Sequence, residues 1–186
     1  MRPALFLDRD GTLIEDRGYI KNPEDLVFFP DVFANLRQLQ KTFRLFIITN
    51  QSGIAKGLLT HEEVDEVHKV FRETLRSLGV RIDRLFCCPH DTEDQCLCKK
   101  PSPYFIHEAA RDFELDLKNS YMIGDHPSDV ECGINAGVNP IYLLSGHGQY
   151  HLGDLRESVP IYEDFGQAAQ HILLTLNKRV KNERSF

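Results

Sequence analysis

Ala4-Leu5-Phe6-Leu7-Asp8-Arg9-Asp10-Gly11-Thr12 begins as an uninterrupted apolar run and ends in two carboxylates and a glycine turn. A short run with no polar alternation is what a strand covered on both faces requires. Polar residues just past its carboxyl end fall where open parallel sheets gather their ligands. The arrangement recurs along the chain. Leu45–Ile48 runs into Thr49-Asn50-Gln51, and Tyr121–Ile123 runs into Gly124-Asp125. Arg84–Cys87 and Pro140–Leu144 read as further strands of the same sheet.

Amphipathic stretches lie between these runs. Asp31–Lys41 carries Val32, Phe33, Leu36 and Leu39 at helical spacing, and Thr60 with Glu63 forms a capping box that opens a helix ended by Gly79. Pro103–Phe113, Ser128–Ala136 (stopped by Gly137) and Asp164–Asn177 complete the set, with a polar tail after Lys178. Strands alternating with helices specify an α/β class, a doubly wound parallel sheet. No repeat, low-complexity segment or linker interrupts it, so residues 1–186 are expected to form one domain.

The chain has 186 residues, 41% of them hydrophobic, which is enough for a core without covalent staples. No run is long enough to span a membrane, and the start lacks the apolar stretch of a secretory signal, so a cytoplasmic location is expected. With 28 acidic against 22 basic residues the formal charge is −6, which gives no general attraction to nucleic acid or to an anionic membrane. A phosphate-bearing partner must therefore be held locally, and a small phosphorylated metabolite suits that requirement.

The chemistry starts at Asp8 and Asp10. Two carboxylates two residues apart, past a strand, bring one side chain and one backbone carbonyl to a common cation. Magnesium takes oxygen ligands in octahedral geometry, and Asp125 is the candidate third carboxylate, with Asp129 behind it. Asp8 then serves as nucleophile and Asp10 as general acid and base. Thr49 can donate to a phosphate oxygen, Asn50 can help orient it, and Lys100 supplies fixed positive charge. Taken singly, each of these has an ordinary reading as a turn, cap or surface residue. In this order, on successive strand ends, they point to one crevice.

Asp8-x-Asp10-Gly11-Thr12, Thr49-Asn50, Lys100 and Gly124-Asp125-x3-Asp129 resemble the four ordered motifs of the haloacid dehalogenase superfamily. The resemblance covers about Ala4 to Leu144. It implies a magnesium-dependent phosphatase with Asp8 as nucleophile, Asp10 as acid/base and Asp8, Asp10 and Asp125 around the metal. Thr49 and Lys100 would stabilise the transferring phosphoryl group.

Five cysteines are present, and four of them, Cys87, Cys88, Cys96 and Cys98, lie within twelve positions. Cys88, His90, Cys96 and Cys98 give C-x-H and C-x-C on one loop (about residues 87–100). That is a tetrahedral zinc set with all four positions filled, hence a structural site. Cys87 is expected to point the other way, into the core, and Cys132 to be a small buried hydrophobe. A zinc loop narrows the resemblance to the D-glycero-D-manno-heptose 1,7-bisphosphate phosphatases and the histidinol-phosphate phosphatases. Asp16-Arg17-Gly18-Tyr19 and Thr49-Asn50-Gln51-Ser52-Gly53-Ile54-Ala55-Lys56-Gly57 resemble the heptose enzymes, where these segments contact substrate. The short His90–Cys96 spacing is similar to the histidinol enzymes. Lys99 stands where the heptose enzymes usually carry Arg, and His126 where they often carry Lys; both positions are expected to meet substrate.

No insertion is long enough for a separate cap domain. A dehalogenase or phosphonate-processing relative is a rival reading, and so is a receiver-type module that keeps its phosphate on Asp8. Asp10 argues against both, because its use is to protonate an alkoxide and then to activate water. A nucleic-acid end phosphatase would need a basic, aromatic surface that the composition lacks. His61, His68, His107, His147, His151 and His171 show no partner pattern and read as surface or packing.

Overall fold

The structure is a computed structural model and describes residues 1–183. Six strands form one sheet: β1 (Ala4–Leu7), β2 (Arg44–Asn50), β3 (Arg84–Cys88), β4 (Tyr121–Gly124), β5 (Asn139–Leu143) and β6 (Ile161–Tyr162). Their order is β3-β2-β1-β4-β5-β6, and every pairing is parallel. The helices are α1 (Val32–Leu39), α2 (His61–Ser77), α3 (Tyr104–Phe113), α4 (Pro127–Ala136), α5 (Gly148–His151) and α6 (Phe165–Glu183).

The apolar strands are covered on both faces, and alternate residues go to opposite cores. Leu5, Leu7, Leu45 and Ile47 pack with Leu36, Phe71, Leu75 and Ile172, which come from α1, α2 and α6. Ala4, Phe6, Phe46 and Ile48 face Ile106, Ala109, Cys132 and Ala136, from α3 and α4. Cys132 is thus the buried hydrophobe that its position suggests.

Local signals account for most boundaries. Thr60 caps α2 with the reciprocal box to Glu63, and Gly79 follows with a φ of 80° that glycine adopts without strain. Gly137 closes α4 in the left-handed conformation. The last helix departs from expectation. It runs on to Glu183, so the polar tail after Lys178 is helical that far, while residues 184–186 lie outside the described residues. A helix once started extends through polar sequence, because propagation needs only one more backbone hydrogen bond per residue. Cys87 is half-buried and stands outside both cores, whereas Cys88 is fully buried.

The chain runs outward from β1 to β2 to β3, then crosses back to place β4 on the other side of β1. The turnaround between β1 and β4 is a topological switch point, and it opens a crevice at the carboxyl ends of those two strands.

Candidate active site

Leu5 lies opposite Tyr121 and Leu7 opposite Ile123, so the segments after β1 and β4 leave the sheet side by side. The Asp8 N–H donates to the Ile123 carbonyl at 2.9 Å, which carries the pairing one residue further. Asp8, Asp125 and Asp129 each offer a carboxylate oxygen within 4.8 Å of the others, and all three residues are buried. Glycines make this approach feasible. Gly11 has a φ of 78°, and a Cβ there would collide with the Asp125 carboxylate; a Cβ on Gly124 would collide with Asp129.

Asp125 is held at both oxygens. Thr12 Oγ1 donates to one at 3.3 Å and the His147 N–H to the other at 2.8 Å. Asp129 combines two roles. Its carboxylate accepts from the His126 N–H and completes the capping box that starts α4, and it also meets Lys100. Lys100 is buried, with its Nζ 2.5 Å from Asp8 Oδ1 and 2.5 Å from Asp129 Oδ1. Asn50 fixes the lysine through its backbone: the Lys100 N–H donates to Asn50 Oδ1 at 3.2 Å, and Asn50 Nδ2 donates to the Lys100 carbonyl at 3.4 Å.

The electrostatics follow from burial. Burial drives Lys100 towards neutrality, but Asp129 and Asp8 outweigh it and hold the ammonium above its ordinary range. Burial raises Asp8 well above the usual carboxylate range; Lys100 opposes this, and Asp129, Asp125 and Asp10 add to it. Burial, with Asp129 next, pushes Asp125 up to about 7 against the pull of the His147 N–H. Three gathered carboxylates with one ammonium leave uncompensated negative charge on oxygen ligands. A hard divalent cation of the magnesium type fits that donor set.

Asp10 stands beside this cluster with its carboxylate turned to other partners. Arg9 meets both of its oxygens, Gln51 Nε2 donates at 2.9 Å, and Thr49 Oγ1 lies 3.5 Å away. Gln51 is buried and also donates to Thr49 Oγ1 at 2.8 Å.

The four loop ligands expected for zinc meet at one point. Cys98 Sγ is 3.2 Å from Cys88 Sγ and 3.7 Å from Cys96 Sγ, and Cys88 Sγ is 3.6 Å from Cys96 Sγ. His90 Nδ1 lies 3.4 Å from Cys98 Sγ and 3.7 Å from Cys88 Sγ. A disulfide needs sulfurs about 2.05 Å apart. A tetrahedron with metal–sulfur bonds of about 2.3 Å has edges of about 3.8 Å, so the set fits zinc.

A cleft of about 630 Å³ opens over the carboxylates. Its wall includes Asp16, Asn50, Ser52, Lys99, His126 and His147 as well as Asp8, Asp10, Thr49, Lys100, Asp125 and Asp129. Residues 97–168 match the family model described as "HAD-hyrolase-like". A Helicobacter pylori protein named D-glycero-beta-D-manno-heptose-1,7-bisphosphate 7-phosphatase is 40% identical over 144 residues, spanning 76% of this chain and 83% of that relative.

The chain belongs to the haloacid dehalogenase-like phosphatases.

A Campylobacter jejuni relative, named as the 7-phosphatase of the alpha anomer, is 36% identical to this phosphatase over 76% of the chain and 82% of its own length. The crystal structure of the D,D-heptose 1,7-bisphosphate phosphatase of B. bronchiseptica, complexed with magnesium and phosphate, superposes with a TM-score of 0.86 at 30% identity. It covers 94% of this chain and 99% of that one. The phosphatase is a hydrolase of phosphoric monoesters on the expected doubly wound sheet.

Not every expected substrate contact lines the cleft of this phosphatase. From the segment 16–19 only Asp16 does so. Arg17 pairs with Glu15 at 2.8 Å in the open, Gly18 N–H donates to Asp16 Oδ1, and Tyr19 is half exposed beside Gly53. Gln51 sits behind Asp10. Lys99 reaches the cleft while its ammonium lies 3.3 Å from Asp91 on the thiol loop. His147, read from sequence as surface or packing, lines the cleft, and its Nδ1 is 3.3 Å from Asp16 Oδ2. Its signal is tertiary, since nothing local ties residue 147 to Asp125.

Proposed function

We infer that the protein removes the 7-phosphate of a D-glycero-D-manno-heptose 1,7-bisphosphate through an aspartyl-phosphate on Asp8. The observation that carries this reading is the placement of Asp8. Its carboxylate lies 2.5 Å from Lys100, within the carboxylate cluster, on the floor of a cleft large enough for a phosphorylated sugar. Kinship at 40% identity with a named heptose bisphosphate phosphatase supports the substrate. Lys99 and His126 on the wall offer polar contacts to the far end of such a molecule.

In the first half-reaction an Asp8 oxygen attacks phosphorus as the P–O ester bond breaks, and Asp10 gives its proton to the departing alkoxide. In the second, Asp10 takes a proton from water, which attacks the aspartyl-phosphate. Inorganic phosphate leaves, and the Asp8 carboxylate is regenerated. Lys100 and Thr49 counter charge on the phosphoryl oxygens. The carboxylates of Asp8 and Asp125, with the main chain at Asp10 and with Asp129 behind, would hold magnesium, which offsets repulsion between nucleophile and phosphate. Cys88, His90, Cys96 and Cys98 would hold a structural zinc.

The test is a substrate panel with magnesium: both anomers of the heptose 1,7-bisphosphate against histidinol phosphate. A kcat/KM for one heptose anomer far above that for histidinol phosphate is expected, and the reverse order overturns the assignment. Asp8→Asn should abolish turnover and leave the circular dichroism spectrum unchanged. Near-normal turnover would remove Asp8 from the mechanism.

A further inference from the structure

Arg9 lies between the two motif carboxylates, where a long cation would ordinarily reach for solvent. Instead it is 1% exposed and is the largest fully buried side chain among the described residues. A buried guanidinium is costly unless its donors are met by a carboxylate in good geometry. Its donated hydrogen bonds go to Asp10: Nη2 is 2.8 Å from each carboxylate oxygen, and Nε is 3.2 Å and 3.1 Å from the same two.

Two groups near the guanidinium, His68 and Cys87, are neutral. His68, on α2, is buried, and its Nε2 has no hydrogen-bond partner. Burial, with the Arg9 and Arg72 cations adding to it, pushes its imidazole down to about 3, so it stays neutral. Burial pushes the Cys87 thiol up to about 12, so it too is uncharged. The site therefore divides its buried cations. Lys100 faces the nucleophile and Asp129, whereas Arg9 faces Asp10.

We propose that Arg9 is a positioning residue whose buried guanidinium, with Nη2 and Nε each in reach of both Asp10 oxygens, fixes the carboxyl group at the angle from which it serves the leaving oxygen. Gln51 and Thr49 bear on one oxygen of Asp10, whereas Nη2 and Nε of Arg9 each reach both, so the guanidinium edge crosses the carboxylate edge and grips it at two points. A lysine would keep the charge but offer one nitrogen where Arg9 offers two, so the carboxyl group could turn about that single contact. The proposal rests on Asp10 being the general acid.

The experiment compares leaving groups in kcat/KM, which reads the steps up to loss of the alcohol. The heptose 7-phosphate is a primary alkyl ester and needs its alkoxide protonated, whereas p-nitrophenolate departs unaided. Arg9→Lys should lower kcat/KM on the alkyl ester by about 10²-fold, the scale on which misplaced catalytic groups lose rate, and leave the aryl ester nearly untouched. Asp10→Asn should show the same selectivity, with a deeper loss.

Both substrates are read on one preparation, so the ratio does not depend on how much of the variant folds. Arg9→Gln, which removes the buried charge but keeps a planar donor, is read in the same way. If Asp10→Asn is selective and both Arg9 variants lower the two esters alike, Arg9 is a packing residue and the proposal falls. If Asp10→Asn shows no selectivity, the acid assignment fails first and the proposal falls with it.

Discussion

The carboxylate crevice and the thiol loop each gather four groups around a point, but by different means. Asp8 and Asp125 stand just beyond the ends of two neighbouring strands and Asp129 in the first turn of α4, and their fourth member, Lys100, carries the opposite charge. That cluster is held by the sheet and partly neutralises itself. The thiol set has Cys88 at the end of β3 and three ligands on a loop whose only large aliphatic side chain, Leu97, is 75% exposed. Nothing apolar anchors the loop, and a bound metal would act as its core. On the proposed reading, one site would need a metal to react and the other would need one to keep its shape.

Differential metal removal is the largest test of that contrast. Withdrawing magnesium should abolish turnover and leave the melting temperature nearly unchanged. Stripping zinc should lower the melting temperature and speed amide exchange across residues 89–99, since structural zinc in small domains contributes about 10–16 kcal/mol. Equal thermal losses on both treatments would erase the distinction.

Next in size is Lys100→Met. It leaves two buried carboxylates without their ammonium and should cost about 3–5 kcal/mol in urea unfolding. Added magnesium should recover part of that loss, because the cation takes over the charge. A variant as stable as the parent would mean that the cluster is not self-neutralising.

The smallest effect sharpens the other half. Asp91 caps the turn of the thiol loop by accepting from the Thr92 N–H at 2.8 Å, and it pairs with Lys99. Asp91→Ala should cost about 1 kcal/mol. The cost should be larger in zinc-stripped protein, where the loop depends on its own hydrogen bonds. An identical cost in both forms would show that zinc and cap do not share the work.

Sequence patterning made β1, β2 and β4 legible because each is a dense apolar run buried almost throughout, and the half-buried edge strand β3 and β5 were still readable from shorter apolar runs. β6 escaped notice: it is two residues long, with Ile161 exposed, and too short to show a period. Thr60 and Glu63 were readable as a box because a cap is local. Asp129 was readable as either a cap or a site residue, and it is both, pairing with the His126 N–H and with Lys100. Arg9 and His147 were opaque for one shared reason. The burial of Arg9, and the reach of His147 to Asp16, are set by segments that meet only in three dimensions.

The switch point between β1 and β4 has a consequence for when the protein becomes active. Leu5 pairs with Tyr121 across most of the chain, so closing that contact is a late and slow event by the usual cost of long-range pairing. A nascent chain that has assembled only β3-β2-β1 displays Asp8, Asp10 and Thr49 but has no Asp125 or Asp129 to complete the floor. On the proposed mechanism, half-made molecules emerging from a ribosome would be chemically silent, and hydrolysis would begin only once the sheet has closed on both sides of its first strand.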